Sequence, residues 1–170
     1  MAGDLRMQNV GGLMYTEAID TRDWEQLLCK GAQEVFGMMI GISLERCADT
    51  SQHEPGEYTA VIGLAGPING VFAIRCDEKT AIGITCGMLR LEENMAKAEV
   101  WDALGEVCNM VAGNFKVRTG GVGEKSVLSV PIVIHGHDYK VRPLVNGSFV
   151  QCRMQTANGV LHLRLDYRLA

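Results

Sequence analysis

The sequence predicts an α+β protein in which long helices pack on a mostly antiparallel β-sheet. Two stretches, near residues 20–39 and 94–116, repeat apolar residues at spacings of three and four, which is typical of amphipathic helices. The C-terminal part of the chain alternates apolar and polar residues at period two, as strands with one solvated face do. Asn-Gly pairs at 146–147 and 158–159 are strong hairpin-turn patterns. Both kinds of element are therefore expected.

The N-terminal half begins with a segment that lacks periodicity. We expect residues 1–15 to be flexible and residues 16–170 to form a single domain. The first helix is predicted to begin at Asp20 or Thr21, both suitable N-caps, and to end near Met39. Three predicted strands follow, near residues 41–50, 57–65 and 68–76.

The second half of the chain begins with helices and ends in strands. Asp77 is predicted to cap a second helix that ends near Arg90, and a third helix covers residues 94–116. A glycine-rich connector at 119–124 leads to the C-terminal strands. The predicted strands lie near residues 126–135, 139–145, 148–157 and 160–168.

The third helix has two distinct faces. Its apolar stripe, expected to face the core, comprises Trp101, Leu104, Cys108, Val111 and Phe115. The nearly opposite face carries Asp102, Glu106, Asn109 and Gly113. Solvated helix faces commonly carry such residues, so the residues alone leave that alternative open. Asn and Gly are poor helix formers, however, and their presence inside a strongly patterned helix favours a functional face.

Composition excludes several classes of protein. The chain has 170 residues and a net charge of −4 without a Lys/Arg cluster, which argues against nucleic acid as a partner. No apolar run approaches about 18 residues, so we expect no membrane-spanning helix. The N-terminus lacks a signal-peptide pattern. Six cysteines without a C-x-x-C pair are expected to be reduced thiols of a cytoplasmic protein.

Two other motifs are weaker. The segment 120–126 resembles a phosphate-binding loop, but Glu124 stands where that motif needs glycine before Lys125. His135 and His137 have metal-ligand spacing, but no third ligand lies nearby in the sequence, so surface histidines are favoured and no metal is expected.

The polar face of the third helix belongs to a longer pattern. Asp102-x-x-x-Glu106-x-x-Asn109, with Pro131 22 positions after the asparagine, resembles the motif of the CheC/CheX family of chemotaxis phosphatases. The flanking segments 66–72, 104–113 and 129–136 also resemble family motifs. The resemblance spans about residues 21–136 and implies a CheC-like fold built as a pseudo-twofold duplication.

A weak internal repeat agrees with such a duplication. A shift of 72 positions lays Glu34 on Glu106 and Val61-Ile62 on Val133-Ile134. In the first copy Gly37 stands where Asn109 stands in the second, and Lys30 replaces Asp102. We expect one live site, on the second copy, as in CheX-like members.

The resemblance implies a phosphatase that hydrolyses the acyl phosphate of a phosphorylated CheY-like response regulator and so ends a chemotaxis or two-component signal. Asn109 would orient the attacking water and Glu106 would pair with a receiver lysine. Asp102, Ala112 and Gly113 would contact the partner, while Gly105 and Pro131 would shape the site. Mg²⁺ would come with the receiver, and a homodimer is expected.

Two alternatives to this function remain. One is a non-catalytic receiver-binding module related to FliM-type switch domains, which share the fold without the Glu/Asn pair. The other is an unrelated hydrolase that uses Cys108 or the histidines.

Overall fold

The computed structural model describes residues 5–10, 13–18, 20–47 and 56–170. The helices are α1 (Trp24–Val35), α2 (Glu78–Leu89), α3 (Glu93–Arg118) and the short α4 (Gly121–Glu124). The strands are β1 (Leu5–Val10), β2 (Leu13–Ala18), β3 (Glu45–Arg46), β4 (Tyr58–Ala65), β5 (Ile68–Cys76), β6 (Val127–Leu128), β7 (Ile132–His135), β8 (Ser148–Gln155) and β9 (Val160–Leu169).

The central sheet confirms the predicted α+β class. Its strand order is β3-β8-β9-β5-β4-β6, and β7 also pairs with β4. Every pairing in it is antiparallel. α1 and α3 pack together and contact the sheet, with α2 packed against α3. Strand residues alternate between this helical layer and the opposite face, as Leu161, Leu163 and Leu165 of β9 show by their complete burial.

The strand order shows the predicted pseudo-twofold relation directly. One unit contains α1, β3, β4 and β5, and the other contains α3, β6, β7, β8 and β9. Corresponding strands of the two units lie at equal distances from the two edges of the sheet. β3 and β6 are at the edges, β8 and β4 come next, and β9 and β5 pair at the centre. On this relation β4 corresponds to β8. The expected match of Val61-Ile62 with Val133-Ile134 is therefore wrong, since β7 pairs beside β4.

α1 is shorter than predicted and begins differently. Its N-cap is Asp23, which makes no side-chain capping bond. Asp20, an expected cap, instead accepts hydrogen bonds from the backbone and side chain of Arg22 at 2.8–3.0 Å. After Val35 the chain continues as a π-helical turn, Phe36–Ile40, and Gly41 ends it at φ 77°. A left-handed residue at this position favours glycine.

The other two long helices agree closely with prediction. The side chain of Asp77 accepts a hydrogen bond from the backbone of Thr80 at 2.8 Å, which confirms it as the cap of α2. α3 extends the predicted helix by one or two residues at each end. Trp101 is the exception on its apolar stripe: it is 46 % exposed, whereas the other four members are buried. It lies at the margin of the stripe, against aromatic side chains of the sheet edge.

The strand predictions succeed in the centre of the sheet and fail at its edges. β4, β5, β8 and β9 lie where expected, and the Asn158-Gly159 hairpin joins β8 to β9, through a four-residue loop. Within the predicted strand 41–50 only Glu45–Arg46 is a strand, and residues 48–50 lie outside the described part. The predicted strand 126–135 is divided at Pro131, since proline has no N–H for a ladder.

Two segments were predicted with the wrong local structure. Residues 139–145 form no strand, so Asn146-Gly147 does not close a hairpin. The connector 119–124 contains the helical turn α4. β1 and β2 pair as an antiparallel hairpin, and the predicted boundary between residues 15 and 16 falls inside β2. The flexibility of residues 1–15 and the single domain 16–170 stay predictions.

Candidate functional site

Four of the predicted site residues lie along one outward face of α3. Asp102 and Glu106 are exposed, and Asn109 and Gly113 are half-buried. This orientation follows from the stripe on the other side of the helix, where Leu104, Cys108, Val111 and Phe115 are in the core. Residues three and four apart are neighbours on a helix, so the carboxylate of Glu106 and the amide of Asn109 stand side by side.

Pro131 lies beside this face because the helix comes close to the sheet edge at Gly105. A methyl group at Gly105 would lie 3.5 Å from Pro131 Cγ and 3.7 Å from Val133 Cγ2. Ser129 fixes the chain before the proline: its Oγ accepts a hydrogen bond from Gly63 N at 2.9 Å, and its N–H donates to Gly63 O at 2.9 Å. The proline thus stands between two short strands held on β4, next to α3.

An aromatic cluster that sequence reasoning missed borders the site on its N-terminal side. His135 stacks on Tyr58 with ring centroids 4.2 Å apart, and Trp101 meets both rings edge-on at 5.9–6.0 Å. Trp101 directly precedes Asp102, so an exposed indole adjoins the exposed carboxylates. One sequence feature indicated this partial exposure: Trp101 lies at the edge of the apolar stripe of α3, where neighbouring elements cover a side chain only in part.

Ala112 and Cys108 do not belong to the accessible face. Ala112, expected to contact a partner, is 1 % exposed and packs in the core, so we exclude it from the surface that a partner would touch. Cys108 is completely buried, and burial raises the pKa of its thiol to about 12. Since the thiolate is the nucleophile, this cysteine is inert at neutral pH. A hydrolase based on Cys108 is therefore disfavoured.

The corresponding face of the first copy of the repeated helix, on α1, is also exposed, but its carboxylate is paired within the molecule. Glu34, the counterpart of Glu106, is paired with Arg118 Nη2 and accepts a hydrogen bond from Asn114 Nδ2 at 3.3 Å. Arg118 Nε in turn donates to Asn114 Oδ1 at 2.6 Å. These contacts hold the pKa of Glu34 below its ordinary value, with the bond to Arg118 as the largest cause. Gly37, at the position of Asn109, supplies no side chain.

The two histidines of the sheet edge are surface residues, as expected. His137 Nδ1 lies 3.5 Å from Glu57 Oε1, and its ring is 6.4 Å from that of His135. Among the residues that the structure describes, no group of three or more His, Cys, Asp or Glu side chains could hold a metal ion. None of the described helices is both long enough and apolar enough to cross a membrane.

Comparisons with known proteins agree on one family. The family described as "Chemotaxis phosphatase CheX" matches residues 58–155. The curated CheY-P phosphatase CheX of Thermotoga maritima is 28% identical over 89 residues. That match covers 52% of this chain and 57% of the relative, so it spans little more than half of either protein.

Solved structures share the fold over most of the chain. A CheX chemotaxis protein from Vibrio vulnificus superposes with a TM-score of 0.75 at 23% identity, covering 88% of this chain and 99% of the other. The CheX of a CheX–CheY–BeF3–Mg²⁺ complex from Borrelia burgdorferi gives a TM-score of 0.68 at 20% identity, with 88% and 99% covered. At such identities the likeness shows the fold. The family match itself covers more than half of the sequence, and the chain therefore belongs to the chemotaxis phosphatase CheX family.

Proposed function

We propose that this protein hydrolyses the aspartyl phosphate of a CheY-like response regulator. The observation that carries the proposal is the row of two exposed carboxylates, Asp102 and Glu106, and the half-buried amide of Asn109 on α3, in a chain of the CheX family. The Thermotoga relative is a CheY-P phosphatase, and the Borrelia relative was crystallised with CheY, which supports a receiver as the partner.

The reaction needs positioning more than acid–base chemistry. A water oxygen attacks phosphorus, and the bond between phosphorus and the aspartate oxygen breaks. Inorganic phosphate and a free carboxylate result, and the proton of the water passes to phosphate or solvent. A carboxylate is a good leaving group, so the limiting requirement is a water held in line with the bond that breaks.

Asn109 is proposed to hold that water. Its amide can donate and accept hydrogen bonds, which lets it fix both the position and the orientation of the nucleophile. Glu106, one turn earlier, would pair with a lysine of the receiver and align the two proteins. Asp102 and Gly113 would lie at the margins of the contact, with Gly113 permitting close approach. The proposed Mg²⁺ belongs to the receiver and neutralises phosphoryl charge there.

The test is phosphate loss from purified receivers phosphorylated in vitro with Mg²⁺, with and without this protein. We expect the protein to accelerate the loss, and Asn109→Ala to reduce that acceleration about 10²-fold, because positioning supplies several kcal/mol. Glu106→Gln should weaken receiver binding as well as turnover. Asn94→Ala is the matched control, since Asn94 is an exposed asparagine at the start of the same helix.

Two results would contradict the mechanism. An Asn109→Ala variant with the wild-type rate would remove the asparagine from the reaction. Binding of phosphorylated receivers without acceleration would favour the non-catalytic adaptor instead.

A further inference from the structure

Two of the six free cysteines meet where α1 packs against β8. Cys29 lies on α1 and Cys152 on β8, and a hydrogen bond joins their side chains. Both are in the core, with 5% and 4% of their surface exposed. More than 100 residues separate them in the sequence, so it is the fold that brings these two thiols together.

Packing at the sheet edge explains why the two side chains meet. Arg46 of β3 is opposite Met154 of β8, and its guanidinium forms an ion pair with Glu25 of α1. Cys29 lies one turn after Glu25, on the same side of the helix. Cys152 lies two residues before Met154, on the same face of the strand. The contact that holds α1 over β8 therefore also places one thiol over the other.

The two sulfurs differ in acidity. The hydrogen bond with Cys152 is the largest influence on Cys29 and lowers the pKa of its thiol; burial opposes this effect, and the charge of Arg46 adds to it. The same hydrogen bond, together with burial, raises the pKa of the Cys152 thiol. Since the thiolate is the nucleophile, Cys29 is the sulfur that attacks an oxidant, and Cys152 is the thiol beside it that resolves the product.

We propose that Cys29 and Cys152 form an oxidation site, at which hydrogen peroxide converts the thiol pair into a reversible disulfide between α1 and β8. The Cys29 sulfur attacks a peroxide oxygen, the O–O bond breaks, and a sulfenic acid and one water result. The Cys152 sulfur then attacks the Cys29 sulfur, so that an S–S bond forms, the S–O bond breaks and a second water leaves. The two thiols are oxidised by two electrons, and their protons end in the two waters.

Cys47 is a half-buried thiol near the same edge, but it faces away from the pair. Its N–H donates to Arg153 O at 3.1 Å, which continues the β3–β8 ladder by one position. Successive residues of a strand point to opposite faces of the sheet, so Cys47 shares the face of Arg153, and Cys152 lies on the other face. Cys47 is therefore a matched control at the same sheet edge.

The test is treatment of the folded full chain with hydrogen peroxide, followed by peptide mapping in a mass spectrometer. We expect a Cys29–Cys152 crosslink, and two fewer free thiols than the six of the reduced chain when the thiols are titrated after unfolding. Dithiothreitol should restore all six. The disulfide should also raise the unfolding temperature, by about 5–10 °C, because it closes a long loop of the unfolded chain.

Three variants assign the reaction to this pair. Cys29→Ala and Cys152→Ala should each abolish the crosslink, whereas Cys47→Ser should keep it. The peptide map of the wild-type chain decides the proposal even if a core variant fails to fold. Both thiols still reduced after treatment, or Cys29 oxidised to a sulfinic acid beside a reduced Cys152, would overturn it. A crosslink that runs through Cys47 would overturn it as well.

Discussion

At the scale of single residues, the α3 face carries the carboxylates and the amide for which we propose a role in receiver dephosphorylation. Asn109 and Glu106 could be picked out from the sequence because their spacing places them together and because asparagine is unfavourable inside a helix. The position of Trp101 at the edge of the apolar arc allowed partial exposure, but neither its degree of exposure nor the burial of Ala112 could be predicted from the sequence. Both residues lie at the edges of their arcs, where the neighbouring strands decide what is covered.

Two glycines of α3, Gly105 and Gly113, give a matched pair of variants. Alanine fits at both positions: a methyl at Gly105 would make ordinary contacts, and one at Gly113 would meet no atom within 4 Å. Each Gly→Ala change should stabilise the protein by about 0.5–1 kcal/mol through helix propensity. Gly105 is buried, whereas Gly113 is the proposed point of close approach.

Gly113→Ala should therefore lower receiver dephosphorylation while Gly105→Ala leaves it unchanged. Unfolding temperatures measured beside turnover separate stability from docking. Full activity in Gly113→Ala would mean that no partner comes near this glycine.

At the scale of elements, the pairing of α1 with α3 depends in part on an exposed ion pair. The carboxylate of Glu34, with a side chain 44% exposed, binds Arg118, and its pKa is lowered. Because the pKa of Glu34 is lower in the folded protein than in the unfolded one, the ion pair stabilises the folded state at pH values above the unfolded-state pKa. That stabilisation is lost as the pH falls through the folded-state pKa. Solvent screening keeps the contribution modest.

Glu34→Gln should consequently unfold at a slightly lower temperature than the wild type at pH 7. The difference should shrink as pH falls below 4.5, the ordinary value of the carboxyl, and also when salt is added. Glu99→Gln, at an exposed position of α3, is the control and should change little. A difference between wild type and Glu34→Gln that persists in acid would contradict the assigned pairing.

At the scale of the whole molecule, the sheet has an open edge at β8. β3 pairs only with Met154 and Gln155 of β8, so in the described part of the chain the strand from Ser148 to Cys152 has no neighbour on that side. Unpaired strand edges favour pairing with another chain. The homodimer expected from the sequence stays a prediction, and we propose this edge of β8 as the place where two chains would pair.

Sedimentation of the full chain should then give about twice the 18.5 kDa of one chain. A single species of monomer mass at micromolar concentration would contradict the dimer. Measurement over a dilution series separates a stable dimer from weak association.

The whole fold was predictable in class but not in detail. Helices α2 and α3 and the central strands have strong periodicity, and tertiary packing reinforces it. Residues 139–145 were predicted as a strand but form none, and Pro143 has no N–H to donate to a ladder there. The 72-residue repeat aligned the two helices correctly but the strands wrongly. The connections between helix and strand differ in length between the two copies, so one fixed shift cannot align both. Longer loops cost little free energy, which is why such differences are tolerated.

The contact between Glu34 and Arg118 also explains why the two halves of the molecule are unequal. The first copy has Gly37, without an amide side chain, where the second copy has Asn109. In addition, the carboxylate of Glu34 is already paired with the guanidinium of Arg118. A lysine arriving from outside would have to displace that guanidinium first. If the proposed function holds, a second site on α1 would need an asparagine at position 37, a carboxylate at position 30 and the release of Glu34 from Arg118.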